Sequence, residues 1–144
     1  MKKIQVFNVP PILLINLKRF RGNNAKQNTR VDFPVRGFDM SDFVVSNDVH
    51  KPVYDLFAVS NHFGQLQAGH YTAITKNGDK WYQFNDHKIA PIDEKDIVGA
   101  AAYILFYQRR GIDFSSLDYK AIRNTFQSVE SADEATNLYE TGGT

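Results

Sequence analysis

Alternating and continuous apolar runs along the chain predict strands rather than long helices. The clearest alternation covers residues 53–62, where one side of a strand would be strongly apolar. A near-continuous apolar run after Pro11 predicts a strand over 12–19 that is covered on both faces. Further strands are predicted over 29–33, 70–76, 79–85, 88–92 and 101–108, and a helical turn over 93–98. The pattern therefore predicts an α+β fold: a mostly antiparallel β-sheet with short peripheral helices.

Asn77 and Gly78 predict a tight hairpin between two of these strands. Both residues tolerate the positive φ angles of a type I′ turn. If they form a two-residue loop, His70 lies directly opposite Asn85; a three-residue loop would change this register. Directly opposed side chains on one face have Cβ atoms about 4.5–5.5 Å apart. We therefore expect His70 and Asn85 to meet at the open end of the hairpin.

The paired imidazole and amide allow two interpretations. An imidazole held by an amide oxygen has one ring proton fixed and leaves the other nitrogen free as a base. This is the His-plus-orienter half of a nucleophilic triad, of which Cys-His-Asn is a known form. On an ordinary strand pair the same two residues form only a satisfied polar pair. Spacing alone leaves both interpretations open.

Length and composition exclude several classes of protein and several kinds of site. The 144 residues are enough for one domain with a modest core, and the net charge of +1 argues against a general nucleic-acid binder. No run approaches the roughly 18 apolar residues of a membrane span, so no membrane partner is expected. The four histidines lack the compact spacing of a zinc site, and we expect neither metal nor cofactor. The sequence contains no cysteine, which excludes disulfides and cysteine-based metal sites.

Four blocks of the sequence resemble the ubiquitin-specific proteases, in the order found in that family. The run Gly-His-Tyr-Thr-Ala at 69–73, preceded by 54–64, resembles the family's His box. The other blocks are 10–20, 81–86 and 102–107. The resemblance covers about 10–109 and only the C-terminal part of the family's catalytic domain, a palm-type subdomain of the papain-like cysteine proteases. We therefore expect 4–110 to be that part of such a domain and 111–144 to be a C-terminal extension, helical or partly disordered.

The resemblance implies a reaction and roles for three residues. The reaction is hydrolysis of the peptide or isopeptide bond after the C-terminal Gly-Gly of ubiquitin by a thiol protease. His70 would be the general base and Asn85 would orient it. Asp86 would occupy the family's second acidic position, although alternation turns it to the opposite face unless a bulge intervenes. Which of Asn85 and Asp86 contributes more stays open.

The same resemblance implies a substrate-binding loop beside the base. Residues 63–69 contain two glycines, which let backbone approach a ligand closely, although a turn joining two strands would need them as well. The residues expected to contact ubiquitin or ubiquitin conjugates are His62, Phe63, Gly64, Gly69 and Tyr71. The resemblance also implies an intracellular location, in the cytoplasm or the nucleus.

The family's cysteine nucleophile and its oxyanion-hole asparagine have no match in this sequence, because both belong to an N-terminal catalytic subdomain. We therefore expect the chain to be inactive alone and to need that subdomain as a partner. The alternative is a non-catalytic ubiquitin-binding or scaffolding module. The coding sequence upstream of the first residue and ubiquitin binding by the isolated chain would distinguish the two. Without the subdomain, an exposed apolar sheet should promote self-association.

Overall fold

The structure, a computed structural model, describes residues 5–20, 22, 25–45 and 52–113, and within them seven strands form one sheet. The strands are β1 (Ile12–Asn16), β2 (Phe38–Asp39), β3 (Val53–Gly64), β4 (Gly69–Asn77), β5 (Lys80–Asn85), β6 (Lys88–Ile92) and β7 (Ala102–Arg109). Their order is β1-β7-β3-β4-β5-β6, with β2 beside β3, and every pairing is antiparallel. Short 3₁₀ helices span Ser41–Phe43 and Glu94–Asp96. The predicted fold class is confirmed, whereas the predicted extension falls almost entirely outside the described residues.

The core lies on one face of this sheet. Its strand residues include Leu56, Val59, Ile74, Trp81 and Leu105, all nearly inaccessible to solvent. Val9, Met40 and Ile97 come from segments outside the long strands and cover that face. Two buried phenols hold such covering segments in place, since Tyr54 Oη donates to the Pro10 carbonyl at 2.7 Å and Tyr107 Oη donates to the Pro34 carbonyl at 2.8 Å. In the part of the chain that the structure describes, no helix is long and apolar enough to cross a membrane.

A β-bulge in β3 changes the predicted alternation. Pairing with β7 shifts between Leu56 and Ala58, so Phe57 is the extra residue. Before the bulge the even-numbered Tyr54 and Leu56 are buried, and after it the odd-numbered Val59 and Asn61 are buried. Strict alternation had placed Leu56 and Val59 on opposite faces; this is wrong because an inserted residue reverses the side-chain phase. The strand thereby presents buried residues to the core face on both sides of the bulge.

Two predictions about the first third of the chain are also wrong. Strand β1 ends at Asn16 and lies at the sheet edge, and Leu14 is 57% exposed, so it is not covered on both faces. Residues 29–33 form no strand. The Thr29 carbonyl accepts a hydrogen bond from the guanidinium of Arg19 instead of a neighbouring strand. This segment is therefore held by a side chain, which strand propensity does not reveal.

The β4–β5 hairpin forms as predicted but with a different register. Asn77 pairs with Lys80, so the two turn residues are Gly78 and Asp79. Gly78 has a φ of 58° at the first central position, where a type II′ turn requires glycine. The predicted direct opposition of His70 and Asn85 is therefore wrong by two residues. A shift of two keeps every side chain on its predicted face, which leaves His70 and Asn85 as diagonal neighbours.

Candidate active site

His70 and Asn85 meet at one edge of the sheet. His70 is the second residue of β4, and Asn85 is the last residue of β5. His70 Nε2 lies 2.7 Å from Asn85 Oδ1, and both residues are exposed. Because the amide oxygen can only accept, Nε2 carries the proton in this bond and Nδ1 keeps the lone pair of a neutral ring. The pair thus presents an oriented base with one free nitrogen.

Asp86 lies in the tight turn that joins β5 to β6. Asn85 pairs with Lys88, so Asp86 and His87 are the two turn residues. Asp86 has a φ of 50°, a conformation that aspartate tolerates better than most residues. Its exposed carboxylate follows Asn85 directly, at a point where strand alternation no longer applies. The turn, rather than a bulge, therefore determines where Asp86 lies.

The five predicted substrate-contacting residues are close together but differ in exposure. Phe63 and Tyr71 are 46% and 56% exposed, and Gly64 pairs with Gly69 at the end of the β3–β4 hairpin. His62 is only 3% exposed. Exposed apolar rings can bind a ligand from solution, whereas the imidazole of His62 is enclosed by neighbouring aromatic rings. Substrate contact stays a prediction for all five residues.

A pocket of about 540 Å³ lies next to this edge. Ile74 and Gln83 line it, and they share a face of the β4–β5 hairpin with His70 and Asn85. Its remaining walls include Asn61, Ile97 and the loop at 99–101. Such a mixture of apolar walls and a few polar groups is typical of ligand sites. Among the residues that the structure describes, no group of three or more histidines and carboxylates could hold a metal ion.

Two basic residues, Arg19 and Lys26, donate hydrogen bonds to backbone carbonyls in this region. Arg19 is 3% exposed, and its guanidinium donates to the carbonyls of Ala102, Gln27 and Thr29 at 2.6, 2.9 and 2.9 Å. Lys26 Nζ donates to the His62 carbonyl. Burial, and secondarily the charge of Arg19, lowers the pKa of Lys26. Arg19 lies between the apolar residues Leu17 and Phe20, and this was the local sign of its burial.

The comparisons with known proteins identify the family. A model of the ubiquitin carboxyl-terminal hydrolase family matches residues 2–107. The chain belongs to this family. It is 48% identical over 118 residues to ubiquitin carboxyl-terminal hydrolase 4 of Bos taurus, covering 78% of this chain and 12% of that protein. It is 44% identical over 126 residues to ubiquitin carboxyl-terminal hydrolase 15 of Homo sapiens, covering 81% of this chain and 13% of that protein. The family assignment made from the four sequence blocks is confirmed.

Solved structures agree with this assignment. The Ubp8-Sgf11-Sgf73-Sus1 SAGA DUB module contains a chain that matches with a TM-score of 0.66 at 30% identity, over 76% of this chain and 26% of that one. A chain of the same module bound to ubiquitin aldehyde also matches with a TM-score of 0.66, at 28% identity, over 76% of this chain and 26% of that one. The sheet is therefore the papain-like sheet of the ubiquitin-specific proteases. The sequence spans about an eighth of the length of its curated relatives.

Proposed function

We propose that this chain is the His-bearing part of a thiol-dependent deubiquitinating protease, which hydrolyses the bond after the C-terminal Gly-Gly of ubiquitin. The observation that carries the proposal is the 2.7 Å hydrogen bond between His70 Nε2 and Asn85 Oδ1, in a chain that belongs to the ubiquitin carboxyl-terminal hydrolases. On this proposal the protein acts inside the cell, in the cytoplasm or the nucleus.

His70 would act through its free nitrogen. With Nε2 bonded to Asn85, Nδ1 accepts the proton of a cysteine thiol, and the thiolate attacks the carbonyl carbon after the Gly-Gly tail. The imidazolium then returns the proton to the leaving amine, and water completes the hydrolysis of the thioester. This sequence has no cysteine, so a cysteine nucleophile must come from a partner segment. We expect the same segment to supply the oxyanion donors. The chain alone would therefore have no turnover.

The tail of ubiquitin would approach along the β3–β4 loop. Phe63 and Tyr71 border that loop with exposed rings, and Leu66 within it is 51% exposed. These apolar side chains suit an extended, uncharged peptide such as a Gly-Gly tail, and they lie next to the strand that carries His70. The pocket beside β4 would take the partner segment or further residues of the substrate.

A chimera tests the proposal directly. The 118-residue segment of the bovine hydrolase 4 that matches this chain would be replaced by the corresponding residues of this chain. We expect the chimera to release a fluorophore from a ubiquitin C-terminal amide, and we expect His70→Ala to lower kcat/KM by about 10²–10⁴-fold. The matched control is His87→Ala, which removes another exposed histidine and should leave most of the activity. A folded but inactive chimera, or full activity with His70→Ala, would contradict the proposal.

The absence of cysteine from this sequence also favours a second candidate, a non-catalytic ubiquitin-binding module. That module would bind ubiquitin without help from another segment. Chemical-shift changes in the isolated, labelled chain on addition of ubiquitin, confined to the loop at 63–69, would support it if the chimera is inactive. An active chimera would exclude a purely non-catalytic role for these residues.

A further inference from the structure

A buried imidazole lies behind the strand that carries His70. His62 is 3% exposed and is surrounded by three aromatic rings: the ring-centroid distances are 4.7 Å to Tyr71, 5.6 Å to Tyr103 and 5.6 Å to Phe20. Its Nδ1 is buried and has no hydrogen-bond partner among the described residues. Burial, and secondarily the charge of Lys26, lowers the pKa of His62, and the ring packs among these aromatic side chains.

This ring occupies the space beside Gly69. A Cβ atom built at position 69 would lie 2.1 Å from His62 Nε2, closer than any side chain could tolerate, and 2.9 Å from the Phe63 carbonyl. Gly69 is therefore needed because the imidazole lies directly against its backbone. Its pairing partner Gly64 is needed for a different reason, a φ of 89° that strains other residues. At this end of the β3–β4 hairpin, the imidazole therefore occupies the space that a side chain at position 69 would need.

His70 directly follows Gly69. A ring that restrains the backbone at position 69 therefore also restrains the Cα atom from which the His70 side chain extends. We infer that His62 is a positioning residue, whose buried ring holds the backbone beside Gly69 so that His70 reaches Asn85. The inference rests on the proposed function for the role of His70 as a base, but the geometry that it explains is present without nucleophile or substrate. His62 thereby acts through His70 and does not itself need to touch ubiquitin.

The test measures which nitrogen of the His70 ring carries the proton in the isolated chain. Long-range ¹H–¹⁵N NMR spectra of histidine distinguish a ring protonated at Nε2 from one that exchanges between both tautomers. We expect His70 to be protonated at Nε2 in the unmodified chain and to move towards the mixture of a free histidine in His62→Ala. The matched control is Leu56→Ala, which removes another buried side chain from β3 at its far end. It should lower stability while leaving the His70 signature unchanged.

A second variant keeps the imidazole and moves it. Gly69→Ala places a methyl group against His62 and should lower the fraction of His70 that is protonated at Nε2. In the His62→Ala background the same substitution should lower this fraction by less, because the imidazole that the methyl group would contact is absent. If His62→Ala does not fold, His62→Asn, which also removes the ring beside Gly69, takes its place in both comparisons. An unchanged His70 signature in a folded His62→Ala chain, or additive effects in the double variant, would overturn the inference. Neither readout depends on deubiquitinating activity, so the inference and the proposed function can fail separately.

Discussion

Loss of Asn85 should lower kcat/KM, and the hydrogen bond between Asn85 and His70 gives the size of the effect. The 2.7 Å separation of His70 Nε2 and Asn85 Oδ1 is that of a well-formed hydrogen bond. When the ring takes the thiol proton, its donor becomes charged, and such bonds contribute about 1.5–3 kcal/mol. Since about 1.4 kcal/mol is tenfold in rate, Asn85→Ala should lower kcat/KM of the chimera by roughly 10- to 150-fold. Both residues are exposed, so we expect the lower end of this range.

The matched variant is Asp86→Asn, which keeps a residue that tolerates positive φ and removes the charge. An exposed charge that acts from the turn contributes at most about 1 kcal/mol, so the loss should be less than about fivefold. Both variants would be assayed by steady-state hydrolysis of a ubiquitin C-terminal amide. A larger loss for Asp86→Asn than for Asn85→Ala would assign the orienting role to Asp86 instead of Asn85. An Asn85→Ala chimera with full activity would refute the orienting role of Asn85 equally.

Three further predictions concern the chain itself. Arg19→Met removes the donor of three carbonyl hydrogen bonds and should lower the free energy of unfolding, measured in urea, by about 3 kcal/mol. The control Lys18→Met changes an exposed residue and should have little effect. Equal effects of the two substitutions would contradict a stabilising role for the hydrogen bonds of Arg19. Burial raises the pKa of Tyr107 to about 12 from its usual value near 10, so the neutral phenol contributes stability that is complete below about pH 10 and is lost as the pH rises through 12. Tyr107→Phe should cost about 1 kcal/mol at neutral pH and flatten that alkaline loss, and parallel alkaline curves for the two proteins would argue against it. Self-association through exposed apolar side chains such as Leu14 and Ile89 should appear in sedimentation as a mass that rises with concentration, and a monomer at all concentrations would count against it.

Local sequence signals predict strand existence well here because each acts over a few residues. The alternation in β3 and the apolar run of β7 both correspond to observed strands. Asn77 and Gly78 indicate a hairpin, but the type of turn depends on which residues take positive φ. The pattern around Asn-Gly is compatible with more than one turn, so the register was wrong by two residues while the face of His70 was right.

Long-range contacts account for what the sequence did not reveal. The bulge at Phe57 follows from pairing with β7, which no local alternation can show. Arg19 reads as a surface cation because its carbonyl partners, among them the Ala102 carbonyl 83 positions along the chain, meet it only in the folded sheet. The packing of His62 on Gly69 likewise requires two strands to be side by side. The spacing of residues 70 and 85 predicted that His70 and Asn85 would meet. The contacts of Arg19 and His62 around them depend on tertiary structure and could not be predicted from spacing.

The tautomer of the His70 ring in the unmodified chain shows whether the chain carries an oriented base. Long-range ¹H–¹⁵N NMR at neutral pH should find the neutral ring of His70 protonated at Nε2, and Asn85→Ala should return it towards the tautomer mixture of a free histidine. A His70 ring protonated mainly at Nδ1, or a ring that does not respond to Asn85→Ala, would mean that no oriented base exists in this chain.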